Sequence, residues 1–355
     1  MTAEQPDVTF LIPVYGAEKT LARALDSVFA QTLGNIECVA VNDASPDRSG
    51  AILEDYAAKE PRLRVITLER NSGTLSARKR GAEAARGRYI LSLDPDDTFA
   101  PDGAERLLKH ADEKQADIVH FDTFEYLENP DGSLKQVWNW CPAKPGFLSG
   151  KHAAVKDLLT DHGHYWNLCL KLIRREIFQA ALKDIEDFHC VMCEDLYMDL
   201  AVELRAANIL KVNEAPYRYY LGCGISADRR RSAAAFRRLI PGLRALELCA
   251  AMLPEQFRGA MREIQIKQCR ILLTRAEKEL DAADRTAILE ELHRCGWCSE
   301  ALAEAEAMPR LAGVNEEDFL PGHPVLRGII DAVLPKGTRR RVRVKTWVKR
   351  LLKKA

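Results

Sequence analysis

The residues in this sequence best suited to chemistry are Asp94-Pro95-Asp96-Asp97, which directly follow the apolar segment 89–93. Three carboxylates this close repel one another unless a cation, or a metal bound to a phosphate, lies among them. Pro95 keeps Asp94 extended, and the alternation of extended backbone then places Asp94 and Asp96 on the same side. The segment therefore predicts a metal site, with a solvated acidic turn that caps the following helix as the alternative.

Two polar turns in the N-terminal third could bind a nucleotide. Asp43 lies in the turn 42–47, where a carboxylate can accept a hydrogen bond from a base imide or a ribose hydroxyl. The turn 71–73 leads into a helix that carries Arg78, and a helix N-terminus with a guanidinium suits a pyrophosphate. Taken singly, an Asx turn and a surface arginine are the simpler interpretations.

Two further groups could carry chemistry in the second half of the chain. Glu194 and Asp195 begin a predicted helix, where an acid usually stabilises the helix start but in a cleft could be a general base. The pairs Cys190–Cys193 and Cys295–Cys298 have C-x-x-C spacing, which could indicate zinc or redox chemistry. They lie about a hundred residues apart, and buried free cysteines are the favoured interpretation.

The elements that must position these residues alternate between strand and helix. The chain has 355 residues, 47% apolar and 29% charged, which excludes disorder. Alternation over the first 125 residues predicts βαβ units, a mostly parallel Rossmann-like sheet and a ligand site at the carboxyl ends of the strands. Strands are also expected over Trp166–Ile173 and Tyr217–Leu221, a helix over Glu194–Ala206, and further helices over 233–333.

The ordered motifs VTFLIPVYG, VNDASPDRSG, NSGTLSARKRG, GRYILSLDPDD and CEDLYM resemble the inverting glycosyltransferases of family 2. The resemblance extends from about Val8 to Ser226 and implies the GT-A fold, of the type that acts in bacterial cell-surface polysaccharide synthesis. Ala44 departs from the family pattern, in which glycine is more usual between the acid and Ser45. Alanine fits that turn unless a positive φ is required.

The resemblance implies a role for each matching residue and a divalent cofactor, Mn²⁺ or Mg²⁺. On the nucleotide-sugar side, Asp43 would contact uracil, and Pro13, Tyr15 and Arg78 would bind the nucleotide-sugar. Asp96 would bind the metal directly, while Asp94 would contact the ribose or sugar and also bind the metal. Asp195 would be the catalytic base, with Glu194 as its neighbour. Asp97 matches a third acid whose role varies. The pattern around Lys171 is loose, so that residue is left out of the predicted site.

The expected function is therefore transfer of a sugar from a nucleotide-sugar, most simply a UDP-sugar, to a hydroxyl of a glycan or lipid-linked saccharide. Inversion in a single displacement needs only one carboxylate to remove the proton of the acceptor hydroxyl. The alternative is a nucleotide-binding α/β protein without transferase activity, whose basic tail binds nucleic acid. Neither the dinucleotide-binding nor the P-loop glycine pattern occurs in the sequence.

The charge distribution sets the C-terminus apart. The chain has 52 basic and 52 acidic residues, yet 336–355 contains ten of the basic ones and no acid. Apolar residues at helical spacing in this tail predict an interfacial helix on an anionic membrane, and nucleic acid is not the expected partner. The predicted divisions are a catalytic domain 1–228, a helical region 229–335 and the tail 336–355. No signal peptide or membrane span is apparent, so a cytoplasmic protein at the inner face of the cell membrane is expected.

Overall fold

An eight-stranded sheet forms the centre of the protein in the computed structural model, which describes residues 5–128, 133–140, 145–160, 166–221 and 232–308. In chain order the strands of both sheets are β1 (Val8–Val14), β2 (Ile36–Asn42), β3 (Leu63–Thr67), β4 (Tyr89–Ser92), β5 (Thr98–Phe99), β6 (Ile118–His120), β7 (Thr123–Glu128), β8 (Leu134–Trp140), β9 (Gly146–Ser149), β10 (Lys171–Arg174), β11 (Asn208–Lys211) and β12 (Tyr217–Leu221). The large sheet has the order β3-β2-β1-β4-β10-β6-β11-β9, and β10 and β9 run against the rest.

The strands β1 and β2 are buried along their whole length, as expected of parallel strands covered on both faces. Pro13 lies near the end of β1, opposite Val41 of β2, and it follows the last β1 residue that pairs with β4, Leu11. A proline, which has no N–H to donate, is tolerated where pairing on one side has ended.

Helices cover both faces of the sheet. They are α1 (Leu21–Phe29), α2 (Ser49–Ala57), α3 (Thr74–Ala84), α4 (Gly103–Lys114), α5 (Ala153–Thr160), α6 (Arg175–Ala181), α7 (Glu194–Glu203), α8 (Ala233–Arg237), α9 (Pro241–Met252), α10 (Glu255–Glu279), α11 (Ala282–Cys295) and α12 (Ser299–Ala307). One core lies against α1 and α4, and the other joins the sheet and α7 to the C-terminal helices. The helical region therefore shares a continuous core with the sheet.

The sequence predicted this architecture better than its details. The mostly parallel sheet with flanking helices and a helical C-terminal region is confirmed. The strand expected over Trp166–Ile173 is wrong in its first half, because Leu168–Leu170 form a turn of 3₁₀ helix before β10 begins. The tail 336–355 lies outside the described residues, and its membrane role and the predicted domain boundaries stay predictions.

A second sheet, with the order β5-β12-β7-β8, adjoins the carboxyl end of β4. β5 follows the acidic segment 94–97 directly and pairs with β12, which also pairs in parallel with β7. The Tyr217 hydroxyl and the Tyr220 amide of β12 both donate to the Asp97 carboxylate, at 2.6 and 2.9 Å. The second sheet therefore holds one end of the acidic segment in place.

The helix α7 is tied to the large sheet by buried charges. The ammonium group of Lys171 on β10 donates to Asp199 of α7 and lies 3.3 Å from Oε1 of Glu203, one turn further on. All three side chains are buried, and removal of one partner from such a group is costly because it leaves a charge without compensation. This contact fixes the position of a helix whose first residues are Glu194 and Asp195.

The turn after β2 contains a strained residue. Ala44 has φ of +52°, in the left-handed region that disfavours residues with a Cβ atom. The amide of Ser45 donates to the Asn42 side chain at 3.0 Å, which closes the turn in this conformation. The condition under which alanine would be strained at this position is therefore met.

We expect Ala44→Gly to stabilise the protein, by about 0.5 kcal/mol in urea unfolding. Relief of the left-handed strain contributes about 1 kcal/mol, and the greater freedom of glycine in the unfolded chain offsets about half of it. Ala51→Gly is the matched control, because Ala51 is exposed in α2 and glycine there costs about 1 kcal/mol. Equal destabilisation by the two changes would contradict the assignment of strain to position 44.

Candidate active site

The predicted site residues meet where parallel strands of the large sheet end and two helices begin. The loops after β1, β2 and β4 carry Tyr15, Asp43 and the segment 94–97, while α3 supplies Arg78. The first residues of α7, Glu194 and Asp195, complete the group. Contacts of Arg78 with both α7 and the loop after β4 bring these distant segments together.

Asp43 organises the start of α3. Its two carboxylate oxygens accept hydrogen bonds from the amides of Ser72 and Gly73, at 2.7 and 2.8 Å. Burial raises the pKa of Asp43, and the two amides oppose that shift. The carboxylate therefore fixes the turn that leads to Arg78, and its predicted contact with a uracil base stays a prediction.

Gly73 brings α3 against the segment that precedes α7. It has φ of +87°, and a Cβ atom there would lie 2.9 Å from the backbone nitrogen of Cys190. The amide of Leu75 also donates to the carbonyl oxygen of Cys190, at 3.3 Å. A side chain at position 73 would separate the two segments, so glycine is required for the close approach.

Arg78 lies at the centre of three carboxylates. Its Nη2 is 2.9 Å from Oδ1 of Asp94, and its Nη1 contacts Asp195 and lies 3.4 Å from Oε1 of Glu194. Only 3% of the arginine side chain is exposed. Its Nε is buried and has no hydrogen-bond partner among the described residues.

The surroundings of Glu194 and Asp195 shift the pKa of both groups. Burial raises the pKa of Asp195, Arg78 opposes that shift, and the nearby Asp94 and Asp199 add to it. Burial and Asp195 raise the pKa of Glu194, again against Arg78. Asp195 is the more accessible of the two, with 25% of its side chain exposed against 12% for Glu194. It is therefore the better placed carboxylate for proton transfer to or from a bound molecule.

The three acids after β4 have different surroundings. Asp97 is fully buried, and its carboxylate accepts hydrogen bonds from the Tyr217 hydroxyl and the Tyr220 amide. It therefore holds the loop in place and is not free to bind a ligand. Asp94 and Asp96 are partly exposed. The carbonyl oxygen of Asp96 accepts a hydrogen bond of 2.9 Å from Arg23, a residue of α1 that the sequence motifs did not identify.

Asp94 and Asp96 fit a divalent cation as an incomplete ligand set. Burial raises the pKa of Asp96 to about 6, and the adjacent charge of Asp94 adds to that shift. A cation would relieve this repulsion, since hard divalent cations prefer carboxylate oxygens. No set of three or more metal-binding side chains occurs among the described residues, so the remaining ligands would come from a bound phosphate and water.

Tyr15 and the cysteines have clearly different environments. Tyr15 follows β1 directly and is 43% exposed beside the turn that carries Asp43. Its ring is accessible to a planar ligand, although its assignment and that of Pro13 to nucleotide-sugar binding stay predictions.

The C-x-x-C cysteines are free thiols with raised pKa values, chiefly because of burial. Cys190 and Cys298 are buried, whereas Cys193 and Cys295 are half-buried.

Known proteins are similar to this chain over part of its length. Among curated relatives, the "Uncharacterized glycosyltransferase EpsJ" of Bacillus subtilis is 35% identical over 222 residues, which is 60% of this chain and 61% of EpsJ. The "Minor teichoic acid biosynthesis protein GgaB" of the same organism is 32% identical over 60% of this chain and 23% of its own length. The chain thus spans less than two thirds of the length of these relatives.

A solved structure shows the same fold. TarS 1–349 of S. aureus, in complex with UDP-GlcNAc, matches with a TM-score of 0.57 and 20% identity, over 85% of this chain and 82% of TarS 1–349. The likeness shows a GT-A type fold, as the sequence predicted. Residues 9–181 match the family model described as "Glycosyl transferase family 2". This match covers 173 of the 355 residues, just under half of the chain.

Proposed function

We propose that the protein transfers a sugar from a nucleotide-sugar, with UDP as the nucleotide, to a hydroxyl of a glycan or lipid-linked saccharide. One observation carries the proposal: a buried arginine joins the acidic loop after β4 to the Glu-Asp pair at the start of α7. A donor-binding acid and a candidate base are thereby adjacent. The family 2 match and the UDP-GlcNAc complex of TarS support this choice of donor.

The proposed chemistry is inversion in one displacement. A divalent cation, Mn²⁺ or Mg²⁺, would supply charge neutralisation for the departing diphosphate, held by Asp96 and Asp94. Arg78 orients Asp195 through the contact of its Nη1 with that carboxylate. The hydroxyl oxygen of the acceptor attacks the anomeric carbon as the diphosphate departs. At the same time a carboxylate oxygen of Asp195 takes the proton of that hydroxyl. Glu194, less exposed and bound to the same guanidinium, supports the position of Asp195.

The location of the protein is proposed separately from its chemistry. Among the described residues, no helix combines the length and apolar composition needed to cross a membrane. We propose that the basic tail 336–355 binds the anionic inner face of the cell membrane, on the strength of its charge and apolar periodicity alone. A lipid-linked acceptor would be accessible from that position.

The function is tested by measuring UDP release from a panel of UDP-sugars, with Mn²⁺, with Mg²⁺ and with EDTA. We expect release from at least one UDP-sugar with either metal, and a loss of at least tenfold when EDTA removes it, because the diphosphate charge is then not neutralised. Asp96→Asn should reproduce the EDTA result, whereas Asp55→Asn, at an exposed site on α2, should not. Equal activity with and without metal would remove the proposed metal role.

Replacement of the base separates binding from chemistry. We expect Asp195→Asn to bind UDP with an affinity within about threefold of the wild type, because the base acts on the acceptor and not on the nucleotide. Its transfer rate should fall by about 10²–10⁴, the usual contribution of a positioned general base. Calorimetry with UDP and a single-turnover transfer assay measure the two quantities. Transfer at near wild-type rate would exclude Asp195 as the base.

The ionisation of Asp195 gives a prediction for the pH profile. A base must be deprotonated, so the transfer rate should fall as pH decreases through the raised pKa of Asp195. Arg78→Gln removes the cation that lowers this pKa, so the acid limb should move to higher pH, by about one unit or more. Circular dichroism and a cooperative thermal unfolding transition verify that the variant is folded. An acid limb at unchanged pH would show that Arg78 does not control the ionisation of the base.

A further inference from the structure

The turn 190–193 leads directly into α7 and therefore determines where the Glu-Asp pair begins. Cys193, its last residue, has φ of +60°, in the left-handed region that a side chain disfavours. The carbonyl oxygen of Cys193 accepts a hydrogen bond from the amide of Tyr197 at 3.1 Å, in the first turn of α7. A strained turn of this kind persists only where neighbouring segments hold it. The position of Asp195 thus depends on those segments.

One of those segments is the start of α9. Gly242, the second residue of α9, is buried, and a Cβ atom there would lie 2.8 Å from the carbonyl oxygen of Met192. The Cε atom of Met192 would lie 2.7 Å from the same Cβ atom. A flexible side-chain end can move aside, but the backbone oxygen can do so only if the turn itself shifts. Alanine is the better helix former, so the close approach and not helix preference accounts for glycine at 242.

Two thiols of the C-x-x-C pairs hold the same junction. Sγ of Cys190 donates to the carbonyl oxygen of Met192 at 3.1 Å, the same oxygen that Gly242 approaches. Sγ of Cys298, immediately before α12, donates to the carbonyl oxygen of Leu243 at 3.2 Å. One cysteine of each pair therefore fixes a backbone oxygen where α9 meets the turn.

A second helix start touches the same turn. Gly73, at the start of α3, closely approaches the backbone of Cys190, and α3 carries the arginine that contacts Asp195. The turn 190–193 is thus in close backbone contact with two helix starts, each of which has a glycine at the contact. One of them belongs to the sheet domain and the other to the helical C-terminal region.

We propose that Gly242 is a positioning residue for the transfer reaction, through which the start of α9 sets the distance between Asp195 and the acceptor hydroxyl. The proposal rests on the proposed transferase function. It makes the helical C-terminal region a part of the catalytic unit, although none of its residues needs to touch the substrate. A misplacement of about 1 Å, even from a change far from the chemistry, can lower a rate by about 10²-fold.

The test compares two glycine-to-alanine changes in helices of the C-terminal region, in the full chain. Gly242→Ala should lower the single-turnover rate of UDP release from a UDP-sugar that the wild type accepts, by about tenfold or more. Its affinity for UDP, measured by calorimetry with Mg²⁺, should stay within about threefold of the wild type, because the base acts on the acceptor. Gly259→Ala in α10 is the matched control and should change neither quantity, since a Cβ atom there has no neighbour within 4 Å among the described residues.

A double variant separates the position of the turn from the packing of a side chain. Gly242→Ala with Met192→Ala removes the flexible end of Met192 but keeps its carbonyl oxygen, so the rate should remain low. Recovery of the wild-type rate in the double variant would overturn the proposal, because the conflict would then lie in the side chain alone.

A surface ion pair of α9 gives a second test that tolerates substitution. Arg244 contacts Glu186, its guanidinium lies 4.8 Å from the ring centroid of Phe188, and 37% of its side chain is exposed. Arg244→Gln loosens the contact of α9 with the segment before the turn, so the rate should fall by about threefold at unchanged UDP affinity. Arg237→Gln breaks an exposed pair with Glu291 on α11 and should leave the rate unchanged.

The outcomes distinguish this proposal from misfolding and from failure of the proposed function. A wild-type rate in Gly242→Ala would overturn the positioning role, and a parallel loss of UDP affinity and rate would do so in favour of a general structural role. If Gly242→Ala shows no cooperative thermal unfolding, equal rates in Arg244→Gln and Arg237→Gln would overturn the proposal. If the wild type releases UDP from no UDP-sugar, the proposed function itself fails, and the positioning role with it.

Discussion

The arrangement of the site depends on the charge of one buried arginine. Arg78 is bound to carboxylates from the loop after β4 and from the start of α7, which are 16 and 117 residues distant in sequence. Without its charge, three acids would face one another in a poorly solvated space, a costly state for a folded protein. The other contacts of the site, including the Asp43 turn and the buried Lys171 group, serve to hold the two sides of this cluster at the right separation.

The second sheet extends the protein beyond the carboxyl end of β4. β12 is the strand of that sheet that binds the acidic loop, because its Tyr217 hydroxyl and its Tyr220 amide both donate to Asp97. The charged groups of the candidate site therefore come from the large sheet and its helices, whereas the support for the loop after β4 comes from the second sheet.

The strands and helices could be predicted from the sequence more easily than the contacts among them. Apolar runs such as Val8–Val14 identify buried strands, and the acidic motif after β4 is recognisable by its spacing alone. The same reasoning failed at Leu168–Leu170, because three apolar residues in a buried turn have the composition of a strand. The inward orientation of Asp97 depends on Tyr217 and Tyr220 of β12, which lie more than a hundred residues further along the chain. No local pattern around Asp97 encodes that contact.

The close approach of Gly73 to Cys190 has a consequence for the evolution of such sites. The contact is made by backbone atoms of Cys190, so the side chain at position 190 does not determine it, while position 73 is restricted to glycine. A substitution at 190 therefore needs no compensating change at 73. Pairwise covariation between the two positions would accordingly be weak, although this contact helps to set the distance between the arginine and the proposed base.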